Sequence, residues 1–286
     1  MTIKALYDVP APAKLNVFLH VNGRRVDGYH LIQSVFMLID WCDTLHFELR
    51  RDGKINRMDR HTPNSSNLPA EDLTVRAAKA LQQACGTTLG VDITLEKRIP
   101  SQAGMGGGSS DAASCLMALQ RLWGVSLPKE RLLAIALNLG ADVPFFMCGR
   151  NAWVEGIGEQ ITPIELPAAD FVVIKPRHGL STQAIFSSPD LKRNTGTATI
   201  EGFLKSDEGQ IFEFGQNDLE PVARVLCPEI DQSLNWLNSL RLKGRMTGSG
   251  SAVFAQLQHQ TNLPAAVGNW QVRRCRNLHV HPLAGW

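Results

Sequence analysis

The 286-residue chain has no apolar run of membrane-helix length, and Lys4, Asp8, Pro10 and Pro12 interrupt the apolar core that a signal peptide would need. A soluble, cytoplasmic protein is expected. An excess of one charge is missing as well: 29 basic and 27 acidic residues leave a formal net charge of +2. That balance gives no general reason to expect nucleic acid or an anionic membrane as partner, so any anion specificity must be local. The six cysteines (42, 85, 115, 148, 227 and 275) never show Cys-x-x-Cys spacing, and they read as small buried hydrophobes of a reducing compartment. The eight histidines contain no His-x-x-x-His, and His279-x-His281 is a weak metal signal, so no dedicated protein-bound metal is expected. Internal repeats and low-complexity tracts are absent too. With 44% hydrophobic residues the chain can supply a substantial core, and its length suits two lobes.

The most specific demand on the backbone lies between Pro100 and Ala113. Gly104, Gly106, Gly107 and Gly108 remove the Cβ atoms that would block left-handed dihedrals and close backbone approach, so successive N–H groups can converge on an anion. A Cβ at Gly107 is expected to intrude on the phosphate and to forbid the required dihedral. Ser109 and Ser110 are N-cap candidates for a helix whose apolar positions, Ala112, Cys115, Leu116, Leu119, Leu122 and Trp123, follow helical spacing. That helix would aim its positive end into the loop. A P-loop is excluded because no lysine follows the glycines, and the dinucleotide fingerprint because Ser109 stands where its third glycine belongs. A Gly/Ser linker fits poorly, since Val91, Ile93 and Leu95 form a strand pattern immediately before the loop.

Upstream, Leu15, Val17, Leu19 and Val21 alternate with Lys14, Asn16, Phe18 and His20, a strand that projects Lys14 and Asn16 in one direction. Asn22-Gly23 predicts a hairpin turn and Asp27-Gly28 a second turn. Strands are expected over Ile32 to Ile39 and Leu45 to Leu49, then a polar surface excursion from Arg51 to Ser66. A helix with Glu71 and Asp72 in its first turn stops at Gly86; another is expected to be capped by Ser126 and closed by Gly140. Asp142 follows, ahead of an extended Val143-Pro144. Ala152 to Glu159 reads as a hairpin, and the prolines at 163 and 167 mark a lobe boundary. Beyond it come a strand from Phe171 to Lys175, a helical region from Asn217, a helix with the stripe Ile230, Leu234, Leu237 and Leu240, and a glycine turn, Met246 to Ser251, that leads into a strand ending at Leu257. Read alone, Lys14 is a solvated lysine, Asp142 a turn aspartate and Phe186 as readily core as ligand platform.

Pro-x-x-x-Gly-Met-Gly-Gly-Gly-Ser-Ser resembles the nucleotide loop of the GHMP kinases, with Met105 in place of the usual leucine, and Met246 to Ser251 resembles their third motif, with Thr247 where serine is more usual. Pro12-Ala13-Lys14-Leu15-Asn16, Asp27-Gly28-Tyr29-His30 and Gly140-Ala141-Asp142-Val143-Pro144 narrow the resemblance, from about Ala11 to Leu257, to the kinases of 4-diphosphocytidyl-2-C-methyl-D-erythritol. The resemblance implies an α+β, two-lobed fold: a ribosomal-protein-S5-domain-2-like lobe over 1–162 carrying the loop and the catalytic residues, and a ferredoxin-like lobe over 163–286. It implies ATP-dependent phosphorylation of the 2-hydroxyl, giving the 2-phosphate and ADP, in the non-mevalonate route to isoprenoid precursors. Lys14 and Asp142 would be catalytic. Pro100, Ser101, Gln102, Ala103, Gly104, Met105, Gly106, Gly107, Gly108, Ser109 and Ser110 would bind ATP, with Asn67 and Lys97 on the adenine side. Asn16, Tyr29, His30, Thr182 and Phe186 would bind the cytidine substrate, Phe186 as an aromatic platform. Magnesium would arrive with ATP, meeting Ser109 or Ser110. The implied partners are these two small molecules, with no nucleic acid or membrane, and the chain would be a monomer or weak homodimer. A GHMP relative acting on mevalonate or homoserine would have no use for Asp-Gly-Tyr-His and Phe186, and a non-catalytic sensor on this fold no use for Lys14 together with Asp142.

Overall fold

The computed structural model describes residues 3–60, 68–206, 210–258, 261–265 and 268–286. Its first lobe is built on one long antiparallel pair, β1 (Ala5–Arg24) and β2 (His30–Arg50). β2 is long enough to serve two further neighbours: its last residues pair with β4 (Gly90–Glu96), and Ser34 to Phe36 pair with β5 (Ala152–Glu155), which pairs with β6 (Gln160–Pro163). β3 (Ile55–Asp59) runs parallel to β4 at the sheet edge, so part of the expected surface excursion is a strand. The hairpin turn falls between Arg24 and His30, at Asp27-Gly28, while β1 continues through Asn22-Gly23.

Helices cover one face of this sheet. α1 (Leu73–Cys85) is capped by the Asp72 carboxylate, which accepts from the Val75 N–H, and closed by Gly86 in the left-handed region. α2 (Gly107–Trp123) is the central helix, with Ala112, Cys115, Leu116 and Leu119 buried against Leu45, Phe47, Val91 and Ile93. α3 (Lys129–Leu139) starts after Pro128, not at Ser126, and α4 (Val143–Cys148) follows the Gly140 stop. Proline at a helix entry is tolerated because the N–H it lacks would have no intrahelical acceptor there.

The second lobe holds β7 (Asp170–Lys175), α5 (Thr182–Ser187), α6 (Ile200–Leu204), α7 (Glu220–Leu226), α8 (Glu229–Ser239), β8 (Arg245–Met246), β9 (Val253–Leu257) and β10 (Gln271–Arg276). Its sheet is antiparallel in the order β10-β7-β9-β8. Strand alternation divides its side chains: Val172, Ile174 and Val253 pack with Val222, Ile230 and Leu237 of the helices, whereas Phe171, Val173 and Phe254 share a core with Leu15 and Val17 of β1. β1 is therefore covered on both faces. A bulge between Asn16 and Leu19 shifts its register, so that Val17 and Phe18 are both buried. Past the bulge, Leu19 bonds to Gln216 and Asp218 of the second lobe. The final residues cross back: the Leu278 N–H donates to Leu38 O at 2.8 Å, and Leu283 lies in the first lobe's core.

Candidate active site

A cleft of about 1370 Å³ runs between the lobes, from the glycine loop to the β1–β2 hairpin. The loop enters α2 without a serine cap. The N-cap is Gly106 at φ +69°, which makes no side-chain bond, and Ser109 and Ser110 already lie in the first turn. Left-handed backbone is used at Gly104 (φ +73°) and Gly106, while Gly107 and Gly108 are ordinary helix. A Cβ on Gly104 would stand 2.2 Å from the Thr247 carbonyl oxygen. On Gly106 it would stand 3.0 Å from the Phe146 ring and 3.4 Å from Lys14 Cε. On Gly107 it would meet Ile99 and Lys97 Nζ beneath the loop, so Gly107 is not the point where a side chain would enter left-handed space. The opening N–H groups of α2 have no acceptor within the helix, which suits an anion. Gly106→Val should therefore weaken ATP binding roughly 5- to 100-fold, the cost of forcing a branched side chain into left-handed backbone, as read by calorimetric titration of the folded variant.

The third motif braces this loop from the second lobe: the Ser251 and Ala252 N–H groups donate to Gln102 O and Ala103 O, both at 3.2 Å. Asn217 holds the motif in turn, its Nδ2 donating to Met246 O and Gly248 O at 2.9 Å each. Asn217 gave no sign of this in sequence, where it reads only as a helix opener.

Lys14 is 4% exposed, and its backbone N–H donates to Met105 O at 3.0 Å, fastening β1 to the loop. Its Nζ donates to Asn16 Oδ1 at 2.5 Å, lies 3.9 Å from Asp142 Oδ2 and sits 4.7 Å from the centroid of the Phe36 ring. Burial pushes the Lys14 pKa down, opposed by the charge of Asp142. Asn16 joins the lobes: its N–H donates to Thr247 Oγ1 at 2.8 Å and its Nδ2 to Ser34 Oγ at 2.9 Å. Asp142 sits at the N-cap of α4 with its side chain 32% exposed and making no cap bond. Val143-Pro144 is the first turn of that helix, not an extended segment, because Pro144 falls where no N–H is required.

Lys97 lines the floor of the cleft with its ammonium engaged below the loop. It donates to Asp111 Oδ2 at 2.7 Å and to Asp43, whose other oxygen accepts from the Arg98 and Ile99 N–H groups. Burial opposes the Lys97 charge, but the two carboxylates outweigh it and hold its pKa above the ordinary value. Burial and the adjacent Asp43 hold the Asp111 carboxyl well above the usual range against the pull of Lys97. Ser110 Oγ is buried and has no hydrogen-bond partner, whereas Ser109 is half-buried, its Oγ beside Gly140. Asn67 lies outside the described residues.

At the far end, Tyr29 is 60% exposed at the hairpin tip, its N–H accepted by Asp27 Oδ1. The His30 and Phe186 rings face each other with centroids 4.9 Å apart and planes 33° apart. Phe186 is half-buried: it packs on the second lobe's core and lines the cleft, so platform and core are two sides of one ring. Thr182 Oγ1 lies 2.8 Å from Ser249 Oγ, tying α5 to the third motif. Arg193, which carries no motif in the sequence, joins this end through His30 Nε2 at 2.9 Å.

Comparison with known proteins bears on the family and the fold. The chain matches the GHMP kinases N terminal domain over residues 72–150 and the GHMP kinases C terminal domain over 200–273. It is 69% identical to the 4-diphosphocytidyl-2-C-methyl-D-erythritol kinase of Polaromonas sp. (strain JS666), covering 99% of this chain and 95% of that one. It is 60% identical to the same-named kinase of Acidovorax sp. (strain JS42), covering 99% of each. The crystal structure of a 4-(cytidine 5'-diphospho)-2C-methyl-D-erythritol kinase superposes with a TM-score of 0.71 at 35% identity, over 87% of this chain and 89% of that one. Homoserine kinase from Cytophaga hutchinsonii, at 16% identity, shares the fold with a TM-score of 0.67 over 98% and 95% of the two chains. Identity of this order along almost the whole length, on a two-lobed α+β frame, means that the chain belongs to the 4-diphosphocytidyl-2-C-methyl-D-erythritol kinase family of GHMP kinases.

Proposed function

We propose that the protein transfers the γ-phosphoryl group of ATP to the 2-hydroxyl of 4-(cytidine 5'-diphospho)-2-C-methyl-D-erythritol, releasing ADP and the 2-phosphate, in the non-mevalonate route to isoprenoid precursors. The observation that carries this reading is the Lys14–Asp142 pair, 3.9 Å apart, placed between the glycine loop and the His30–Phe186 end of one cleft. Phosphoryl transfer needs positioning and charge neutralisation more than covalent chemistry. Asp142 takes the proton of the 2-hydroxyl as its oxygen bonds to the γ-phosphorus and the bond to the ADP oxygen breaks. Lys14 keeps Asp142 ionised and offsets charge on the transferring oxygens. Residues Pro100 to Ser109 embrace the phosphates, and Asn16 and Thr182 orient the polar part of the substrate. Tyr29, His30 and Phe186 hold the base.

Magnesium brought by ATP neutralises the phosphates when bound. The half-buried hydroxyl of Ser109 is an oxygen donor of the kind a hard cation takes beside its waters, while the enclosed Ser110 hydroxyl is not. Lys97 contributes from below the loop, holding its floor. Among the described residues no helix is long and apolar enough to cross a membrane. The near-balanced charge gives no pull toward nucleic acid or an anionic membrane, in keeping with an enzyme of small molecules; we infer a cytoplasmic monomer or weak homodimer whose lobes divide after residue 162.

ATP turnover with the cytidine substrate, set against mevalonate and homoserine, tests the assignment, and turnover of either rival alone overturns it. Base stacking on an aromatic ring is worth roughly 1–3 kcal/mol, so Phe186→Ala should raise the Michaelis constant for the cytidine substrate about tenfold or more and leave that for ATP nearly unchanged. A rise in the ATP constant instead would mean that Phe186 lies in the wrong pocket or is simply core.

A further inference from the structure

Lys175 ends β7 buried, 4% exposed, and the transfer chemistry makes no use of it. Its Nζ donates to Pro176 O at 2.6 Å and to His178 O at 3.0 Å, which curls the chain after the strand around the ammonium. Glu229 Oε2, at the start of α8, holds the same turn by accepting from the His178 N–H at 3.0 Å. His178 O takes a second donor, the Ser251 hydroxyl, and the Ser251 N–H donates to Gln102 O at 3.2 Å. A continuous chain of hydrogen bonds thus runs from Lys175 to the nucleotide loop.

Gln102 is where that chain ends and where the loop needs holding. Its φ is +51°, left-handed backbone that a residue with a Cβ keeps only when its surroundings impose it. The turn also presses on it directly: a Cβ on Gly179 would stand 2.4 Å from Gln102 Oε1. Burial pushes the Lys175 pKa down to about 8, against the pull of Cys227 and Glu229. Those two, from the helical layer, are the titratable groups that face it, and its neighbour on β10 is the uncharged Gln271.

We propose that Lys175 is a positioning residue for ATP: through the His178 carbonyl and Ser251 it holds Gln102 in left-handed backbone and so presets the loop that receives the phosphates. This deepens the nucleotide reading above and rests on it. The cytidine end is held separately, since Thr182 bonds to Ser249 and Arg193 bonds to the carbonyls of Phe186 and Ser188. Loss of the relay should therefore reach ATP and spare the second substrate.

The test uses the full-length protein, calorimetric titration with ATP and steady-state kinetics with both substrates. Lys175→Met keeps the stem and removes the ammonium, whereas Ser251→Ala removes the hydroxyl at the other end and keeps the N–H that braces Gln102. Each should raise the dissociation and Michaelis constants for ATP roughly 3- to 20-fold, the scale of one lost hydrogen bond. Turnover and the Michaelis constant for the cytidine substrate should stay within about twofold. Because both side chains act through one carbonyl, the double variant should be little worse than the worse single variant. In the wild type, ATP affinity should fall as pH rises through about 8, where the ammonium becomes an amine and its bonds lose the charge behind them. Lys175→Met should lack that step. A merely structural lysine would loosen α5 along with the loop and weaken both substrates alike, and that result overturns the proposal. Additive losses in the double variant overturn it too, as does a pH step that persists without Lys175. Should Lys175→Met fail to fold, unchanged ATP affinity in Ser251→Ala or a flat wild-type pH profile overturns it. Wild-type protein that binds no ATP at any pH would instead overturn the nucleotide reading itself, and the relay falls with it.

Discussion

Asp142→Asn is expected to lower turnover by about 10²–10⁴-fold, the usual contribution of a positioned general base, with the Michaelis constants for ATP and the cytidine substrate nearly unchanged. Asparagine is almost isosteric with aspartate but takes no proton at neutral pH, so the variant removes the chemistry and keeps the shape. The structure makes this separation cleaner than at most helix termini. Asp142 occupies the N-cap of α4 without capping it through its side chain, so replacing the carboxylate removes no hydrogen bond that the helix needs. A melting temperature within a few degrees of wild type, measured alongside single-turnover rates, would place the loss in the transfer step. Near-normal turnover would mean that the hydroxyl proton leaves without a base at this position, as a loose transition state with late proton loss permits.

The parts of this site legible in the sequence are those whose chemistry is local. Glycines close together, a strand that alternates and an aspartate one residue past a helix-stopping Gly-Ala announce themselves because neighbouring residues enforce them. The rest depends on distant chain. Alternation in β1 predicts a buried and an open face, but the second lobe's sheet packs on Leu15 and Val17 while the glycine loop, Phe36 and Asp142 enclose Lys14 on the other side, and the bulge carries Phe18 into the same core as Val17. The bulge after Asn16 answers to pairing with β2 and is silent in β1 itself. Ser109 and Ser110 resemble caps by type, yet the loop turns through a left-handed Gly106, and the helix begins before either serine. β3 escaped notice because Ile55 to Asp59 is polar and short; it is a strand only through its parallel partner. Lys97 finds its carboxylates 54 and 14 residues away, and Arg193 finds His30 at 163. Long side chains that bind across the fold leave no periodic trace.

Lys14→Met should cost at least as much turnover as Asp142→Asn, because the lysine acts on both the base and the transferring phosphoryl group. Methionine keeps the apolar stem against Phe36 and removes the ammonium, 3.9 Å from Asp142 Oδ2. The Asn16 Oδ1 left behind still accepts from Thr247 Oγ1 at 3.3 Å, so the variant leaves no orphaned carbonyl in the network. Two residues that serve one proton transfer do not add: the double variant should be little slower than the slower single variant, whereas full additivity would show independent roles. The same lysine predicts opposite responses of activity and stability to alkali. Burial depresses its pKa below the ordinary 10.5, with Asp142 opposing. Turnover should therefore fall as pH rises through that depressed value, before free lysine would titrate. Between the folded value and 10.5 the unfolded chain binds more protons at this site than the folded one, so the contribution of Lys14 to stability rises with pH over that window. Comparing wild type with Lys14→Met isolates both slopes, since the variant should lose the alkaline limb of the rate profile and the accompanying gain in stability together. A limb that persists in Lys14→Met belongs to another group, and the lysine would then have no part in setting the charge on the reacting oxygens.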